Sequence, residues 1–201
     1  MKPFNAHDNY LKTVAELKTK PSLLLHVCCG ICAMYPLLEL SKYFKLTLFF
    51  SNSNIFPVKE YRLRLNALKE YLDLKGYEIE LVVDDYAYNT FKRDLSKYPL
   101  EKEQGKRCAI CYHKRLARTF QYGVINHFDY LTTTLTVSRF KDSNLVNQIA
   151  RDLQNKTPAI KYLFSDFKKG GGFETANALR KEVAIYSQTY CGCEYSLKKH
   201  L

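Results

Sequence analysis

The sequence predicts an α/β fold, a parallel sheet with helices on both faces. Three observations carry that expectation. Short apolar runs alternate with longer stretches of helical spacing along most of the chain. Such alternation builds parallel sheets covered on both sides. The polar residues with chemical potential also fall directly after the apolar runs, where ligands bind in these sheets.

Residues 5–18 read as a short basic helix with Tyr10, Val14 and Leu17 on one side. Residues 23–27 read as a buried strand, and 31–44 have helical spacing. A second strand is expected at 46–50. Residues 59–75 form a long amphipathic pattern through Leu63, Leu65, Leu68 and Leu72, stopped by Gly76. A third strand is expected at 78–83 and a helix at 86–95. The polar stretch 96–107, with Pro99 and Gly105, reads as a loop. A helix is expected over 108–122, capped by Gly123. A Thr-rich strand at 129–135, a helix at 145–153, a strand at 160–164 and a helix at 174–187 complete the pattern. Cys28 and Cys29 follow the first strand, Asn52 and Asn54 the second, Asp84 and Asp85 the third. Ser138 comes soon after the Thr-rich strand, and Asp166 follows the last. Residues 1–201 fit one α/β domain with a short basic N-terminal helix, long enough to bury a core without disulfides. There is no internal repeat and no low-complexity tract.

Lys and Arg number 31 against 20 Asp and Glu, a formal charge of +11. Such an excess draws a protein to polyanions, nucleic acid above all. No segment approaches the length of a membrane span, and the run at 23–27 is too short for a signal-peptide core. A cytoplasmic location is expected, with no membrane partner. Disulfides are rare there, so the seven cysteines call for metal or redox chemistry.

All seven lie in three groups: Cys28-Cys29-Gly30-Ile31-Cys32, Cys108-Ala109-Ile110-Cys111 and Cys191-Gly192-Cys193. Thiolates are soft ligands that suit iron–sulfur clusters or zinc. Cys108 and Cys111, three apart at a helix start, share one face. The helix dipole and the preceding Lys106 and Arg107 favour the thiolate there. Gly192 frees the backbone to turn between its flanking cysteines. The vicinal pair Cys28-Cys29 is unusual for structural zinc; it is open to a strained disulfide or to division between two metals. Spacing leaves zinc and iron–sulfur both open. The run Lys168-Lys169-Gly170-Gly171-Gly172 ahead of a helix reads equally as an anion cradle or a flexible loop. His26, inside an apolar run, reads as a satisfied core histidine. Of 16 Tyr and 12 Phe, most must be core, while some beside basic residues, such as Tyr112 near Arg115, are candidates to stack on bases.

Several stretches together resemble one family. They are Leu-His-Val-Cys-Cys at 25–29, Ser-Asn-Ile-Phe-Pro-Val-Lys-Glu-Tyr at 53–61 and Gly-Lys-Arg-Cys-Ala-Ile-Cys-Tyr at 105–112. Arg-Leu-Ala-Arg-Thr at 115–119, Thr-Thr-Thr-Leu-Thr-Val-Ser at 132–138 and Asp-Phe-Lys-Lys at 166–169 follow. Lys-Glu at 181–182 and Tyr-Cys-Gly-Cys-Glu-Tyr-Ser at 190–196 complete the series. In these the chain resembles the cobalamin-independent epoxyqueuosine reductases, which finish queuosine in tRNA.

The resemblance implies a Rossmann-like fold of the adenine-nucleotide-hydrolase-like (HUP) architecture. Cys28-Cys29 stands where related tRNA-thiolation enzymes carry a phosphate loop. It also implies a [4Fe–4S] cluster and an additional mononuclear iron, with ligands drawn from Cys28, Cys29, Cys108, Cys111, Cys191 and Cys193. Cys32 matches a position where the family uses Cys or Asp, a ligand to the second iron or a participant in the chemistry. The implied partners are tRNA carrying epoxyqueuosine and an external electron donor. Removing the epoxide oxygen takes two electrons and two protons; an open iron site is expected to weaken the C–O bond, with Asp166, Asp84 or a tyrosine as proton source. Lys168, Lys169, Arg139 and Lys141, with the basic N-terminal helix, are expected to touch tRNA. Departures from the family pattern are Gly30-Ile31 for Ala-Pro, Ser53 for Pro, Arg139 for Pro, and the Gly-rich run with Thr175-Ala176-Asn177. The competing readings are a cluster-dependent tRNA-thiolation enzyme, which the absent phosphate loop argues against, and a zinc-stabilised RNA-binding module.

Overall fold

The structure, a computed structural model, describes residues 4–198. Five strands form one parallel sheet: β1 (Ser22–His26), β2 (Lys45–Phe50), β3 (Glu80–Val83), β4 (Tyr130–Thr133) and β5 (Lys161–Tyr162), in the order β3-β2-β1-β4-β5. Among the described residues the helices are α1 (Ala6–Ala15), α2 (Gly30–Leu40), α3 (Val58–Leu74), α4 (Tyr88–Leu95), α5 (Lys106–Ile125), α6 (Ser143–Lys156), α7 (Gly172–Lys181) and α8 (Glu194–Leu197). None is long and apolar enough to cross a membrane.

Side chains alternate across a strand, so β1 feeds two cores. Leu23, Leu25 and Val27 pack with Tyr10 and Val14 of α1, Leu37 of α2, and Leu68 and Tyr71 of α3; Leu179 of α7 packs against the same cluster. Leu24 and Phe49 face the other way, onto Leu116 and Phe120 of α5 and Val146 and Ala150 of α6. Both faces are covered, as the unbroken apolar runs require. The chain builds β2 and β3 outward from β1, then returns to lay β4 on β1's other side. That reversal opens a crevice at the carboxyl end of β1.

Helix ends follow backbone chemistry more closely than composition. α3 stops as expected: Gly76 takes a left-handed φ of 63°, Tyr77 N–H donates to Leu72 O, and Gly76 N–H to Asp73 O. The same paired bonds close α5, but later than expected. Gly123 is not its cap. It lies buried within the last turn, and His127 takes the left-handed position at φ 55°, with Phe128 N–H bonded to Gly123 O and His127 N–H to Val124 O. The Thr-rich strand ends at Thr133, whose Oγ1 accepts the Leu135 N–H and starts a 3-10 turn, Thr134–Val137. β5, at the sheet edge, keeps only Lys161 and Tyr162: once Leu163 N–H has bonded Leu131 O, Leu163 O accepts from the Thr132 hydroxyl and the ladder stops. α7 runs Gly172–Lys181 rather than 174–187, and the chain beyond it leaves helical geometry to reach α3. α8 was not expected.

The expected carboxylates after β3 are braced. Arg118 of α5 grips Asp84 with Nη2 at 2.7 Å from Oδ1 and Nε at 2.9 Å from Oδ2, and Ser51 Oγ adds a bond at 2.7 Å. Burial alone raises the Asp84 pKa, but Arg118 and Ser51 outweigh it and the net direction is down. A depressed carboxylate stabilises the fold above its unfolded pKa, and that contribution is lost as pH falls through the folded value. Asp84→Asn therefore lowers the melting temperature at neutral pH by ~2–4 °C, given that Arg118 is partly exposed. The deficit shrinks as pH drops below ~4, which thermal melts across pH will show; a pH-independent deficit contradicts this assignment.

Candidate metal centre

β1 delivers Cys28 and Cys29 into the crevice. Cys28 N–H donates to Thr134 Oγ1 at 3.2 Å, which stitches the end of β1 to the turn after β4. Cys29 is the N-cap of α2, and its sulfur accepts the Cys32 N–H at 3.4 Å. The cap geometry thus folds Cys32 back over the pair. The three Sγ atoms lie within 4.8 Å of one another, and Cys28 and Cys29 stand unbonded at 3.8 Å. All three are buried. Gln188, far along the chain, donates from Nε2 to Cys29 Sγ at 3.0 Å, while its buried Oε1 has no partner among the described residues.

The remaining four cysteines lie as two pairs, one on α5 and one just before and at the start of α8. Cys108 and Cys111 lie in the first turns of α5. Gln104, held at a left-handed φ of 67°, aims its N–H at Cys108 Sγ at 3.3 Å. Cys193 caps α8 and accepts the Ser196 N–H on its sulfur at 3.4 Å. Between Cys191 and Cys193 the chain turns at Gly192, φ 114°, where a Cβ would stand 2.8 Å from Arg64 Nη1. Burial pushes Cys111 up to about 12, with further upward pressure from Cys191, Cys193 and Cys108. Burial pushes Cys193 up to about 11, with Cys191 and Cys108 adding to it. The two pairs are thus electrostatically coupled.

Three cations knit the groups together. Burial pulls the Lys141 pKa down, but Cys191, Cys28 and Cys32 outweigh it and the net direction is up. Its charge is thus coupled to cysteines of both groups. Arg115, buried and bonded to Asn52 Oδ1 at 2.6 Å, acts on both Cys28 and Cys111. Arg64 donates to Cys191 O at 3.0 Å and Tyr190 O at 2.9 Å and acts on Cys29. Within the buried trio, hydrogen bonds from Cys29 and then Cys32 hold Cys28 well below its usual pKa. The bond to Cys28 drives Cys32 up, and burial pushes Cys29 up to about 12. A metal bound by such close sulfurs displaces their protons. Soft donors, a buried unpaired amide oxygen and amide hydrogens aimed at sulfur fit a metal held by thiolates.

The other expected site residues stand as follows. Asp166 accepts from Ser143 Oγ at 2.9 Å and pairs with Lys168 Nζ at 3.0 Å; it has no bond to a cysteine among the described residues. Lys168 turns inward and also donates to Thr136 O. Lys169 and Arg139 are exposed. Tyr112 and Arg115 are both buried, so that aromatic–basic pair is core and not a base-stacking surface. His26 is the core histidine expected. Its Nε2 faces Ser51 O, an acceptor only, so Nε2 carries the proton and Nδ1 accepts from Thr133 Oγ1 at 2.7 Å. Burial drops its pKa to about 3. A cavity of about 310 Å³ opens past β2 and β3, lined by Ser51, Ser53, Asp84, Asp85, Lys114 and Arg115. Arg115 therefore borders both this cavity and the thiols. Arg64, Thr134 and Gln188 carried no signal in the sequence that marked them as site residues.

The sequence model of the family described as Epoxyqueuosine reductase QueH matches residues 23–199. The chain belongs to that family. It is 35% identical over 200 residues to epoxyqueuosine reductase QueH of Streptococcus pyogenes serotype M1, covering 96% of this chain and 78% of that one. It is 32% identical over 205 residues to the Staphylococcus aureus (strain Mu50) protein of the same name, covering 96% and 85%. To the one from Thermotoga maritima it is 28% identical over 179 residues, covering 88% and 90%.

Gln188→Leu keeps the bulk of that side chain and removes its donor to Cys29. It is expected to weaken metal binding by the Cys28–Cys29–Cys32 group by ~10–100-fold. Chelator competition with zinc as the probe measures this. Only the binding phase that Cys32→Ser abolishes should move; an unchanged affinity removes Gln188 from the site.

Proposed function

We propose that this protein is an epoxyqueuosine reductase that acts on tRNA carrying epoxyqueuosine and yields queuosine. One observation carries the reading: three unbridged thiols, Cys28, Cys29 and Cys32, gather as a buried trio just past the carboxyl end of β1, in a chain whose other four cysteines are unbridged as well. We assign a [4Fe–4S] cluster to Cys108, Cys111, Cys191 and Cys193, and a mononuclear iron to Cys28, Cys29 and Cys32. Bound there, iron supplies single-electron transfer from an external donor and Lewis acidity toward an epoxide oxygen.

In the reaction both C–O bonds of the epoxide break and a double bond forms between the two ring carbons. The oxygen leaves as water after taking up two electrons and two protons. The chain's own residues prepare that step. Lys141, Arg115 and Arg64 offset the negative charge of seven thiolates in a buried place. Lys141 Nζ keeps its proton beside the thiols and is the charged donor facing the substrate oxygen. Asp166 serves by fixing Lys168 against Thr136, two residues from the hydroxyl that holds Cys28. The strand order supports the HUP architecture, and the free thiols suit a reducing cytoplasm.

The test is anaerobic. Protein reconstituted with iron and sulfide, given a reductant and epoxyqueuosine-containing tRNA, should remove one oxygen from the base, seen by mass spectrometry of the nucleosides. Cys111→Ser is expected to lose the cluster's visible absorption. Cys32→Ser should keep that absorption, lose the additional iron and fall to background activity. An intact cluster with no loss of oxygen overturns the function, and sulfur incorporation dependent on ATP replaces it.

A further inference from the structure

Phe140 is 70% exposed. Exposed apolar side chains scattered singly need no explanation, but this one is held in place. Its carbonyl accepts from Gln104 Nε2 at 3.1 Å, and its N–H donates to Ser138 Oγ at 3.3 Å. Lys141 N–H closes the turn onto Ser138 O at 3.1 Å. The Arg139 guanidinium lies 4.9 Å from the Phe140 ring centre. Both anchors of this turn lead straight to the thiols. Gln104 is the residue whose backbone N–H meets Cys108 Sγ. Ser138 caps the 3-10 turn whose Thr134 hydroxyl accepts the Cys28 N–H. The turn is thus tied to the site from two sides and leaves an aromatic ring and a guanidinium outside.

Unpaired nucleic-acid bases are bound by stacking on aromatic rings and guanidinium planes, with cations beside them for the phosphates. A fixed ring with Arg139 on it, in a chain of net charge +11, has that chemistry. We infer that Phe140, with Arg139, is a stacking platform for an unpaired tRNA loop base flanking the nucleotide that enters the thiol site. This rests on the tRNA reading above. A purely apolar protein partner fits less well, because Phe140 is bracketed by Arg139 and Lys141 and its own ring face carries a cation. The platform acts on binding and touches neither metal nor the reacting bond. It fixes which loop base lies beside the modified one.

The experiment uses the metal-loaded protein and an anticodon stem-loop RNA lacking the epoxide, so that nothing turns over. Binding is read by fluorescence anisotropy across salt concentrations, alongside iron content and visible spectrum. Phe140→Ala is expected to weaken binding roughly ten-fold, with an unchanged salt slope because no phosphate contact is lost. Phe140→Trp should restore it. Arg139→Ala should weaken binding and also flatten the salt dependence. On the full substrate, Phe140→Ala raises KM and leaves kcat at saturation. Wild-type affinity in Phe140→Ala overturns the proposal, as does failure of Phe140→Trp to rescue. If Phe140→Ala loses iron, Phe140→Leu carries the test, since it keeps apolar bulk without a π face and should bind as weakly. If the wild type itself binds the stem-loop no better than a fully paired RNA of equal length, the tRNA reading falls, not only the platform.

Discussion

Arg64 is almost wholly buried in α3, and the rest of the site depends on where it points. Glu60, one turn earlier, accepts its Nε at 2.7 Å. Its two other nitrogens hold the carbonyls of Tyr190 and Cys191. Tyr186 OH bonds the second oxygen of Glu60 at 2.6 Å, and Gly192 O receives the Phe56 N–H at 2.8 Å. The segment that carries Cys191 and Cys193 has no strand to lean on. This ion pair and its satellites hold it on one side, and Lys92 and Tyr88 on Glu194 and Arg107 over the Tyr195 ring hold it on the other. A buried pair is costly to break, ~3–5 kcal/mol when one member is removed, since the other is left charged and alone. The same guanidinium also faces Cys29, so the strut that places one thiol group is part of the electrostatics of the other.

Seven sulfurs in a buried place pose a charge problem. As thiols they are tolerable, and burial pushes Cys29, Cys111 and Cys193 that way. As thiolates they need compensation. The fold places Lys141, Arg115 and Arg64 around them and aims backbone N–H groups of Cys32, Gln104 and Ser196 at three of the sulfurs. None of these donors can leave, because each belongs to a turn or a helix start. The arrangement therefore favours charged ligands before any metal arrives, which is preorganisation in the ordinary electrostatic sense.

Much of this was legible in the sequence where the physics is local. Apolar runs gave β1 and β2 nearly to the residue, and the stop at Gly76 followed from its tolerance of left-handed φ. The cysteine groups announced themselves by clustering. The failures share a cause. Gly123 looked like a cap because it is glycine, yet His127 took the strained position, a choice settled by packing rather than by composition. Thr133 ended a strand through its own hydroxyl, and β5 stops where the Thr132 hydroxyl takes the Leu163 carbonyl. Gln188 meets Cys29 across nearly the whole chain, and Arg64 meets Cys191 likewise; no periodicity encodes such pairings.

The division of thiols also has a history in time. Cys28, Cys29 and Cys32 leave the ribosome with β1 and α2, while the partners that complete the other group are still being decoded. Cys191 and Cys193 cannot meet Cys108 and Cys111 until residue 193 has been made and Arg64 holds the carbonyls of Tyr190 and Cys191. Ions offered earlier meet only the trio or the pair on α5. Biogenesis of the holoprotein is therefore ordered by translation, with the second half of the centre waiting for the chain to return to where it began.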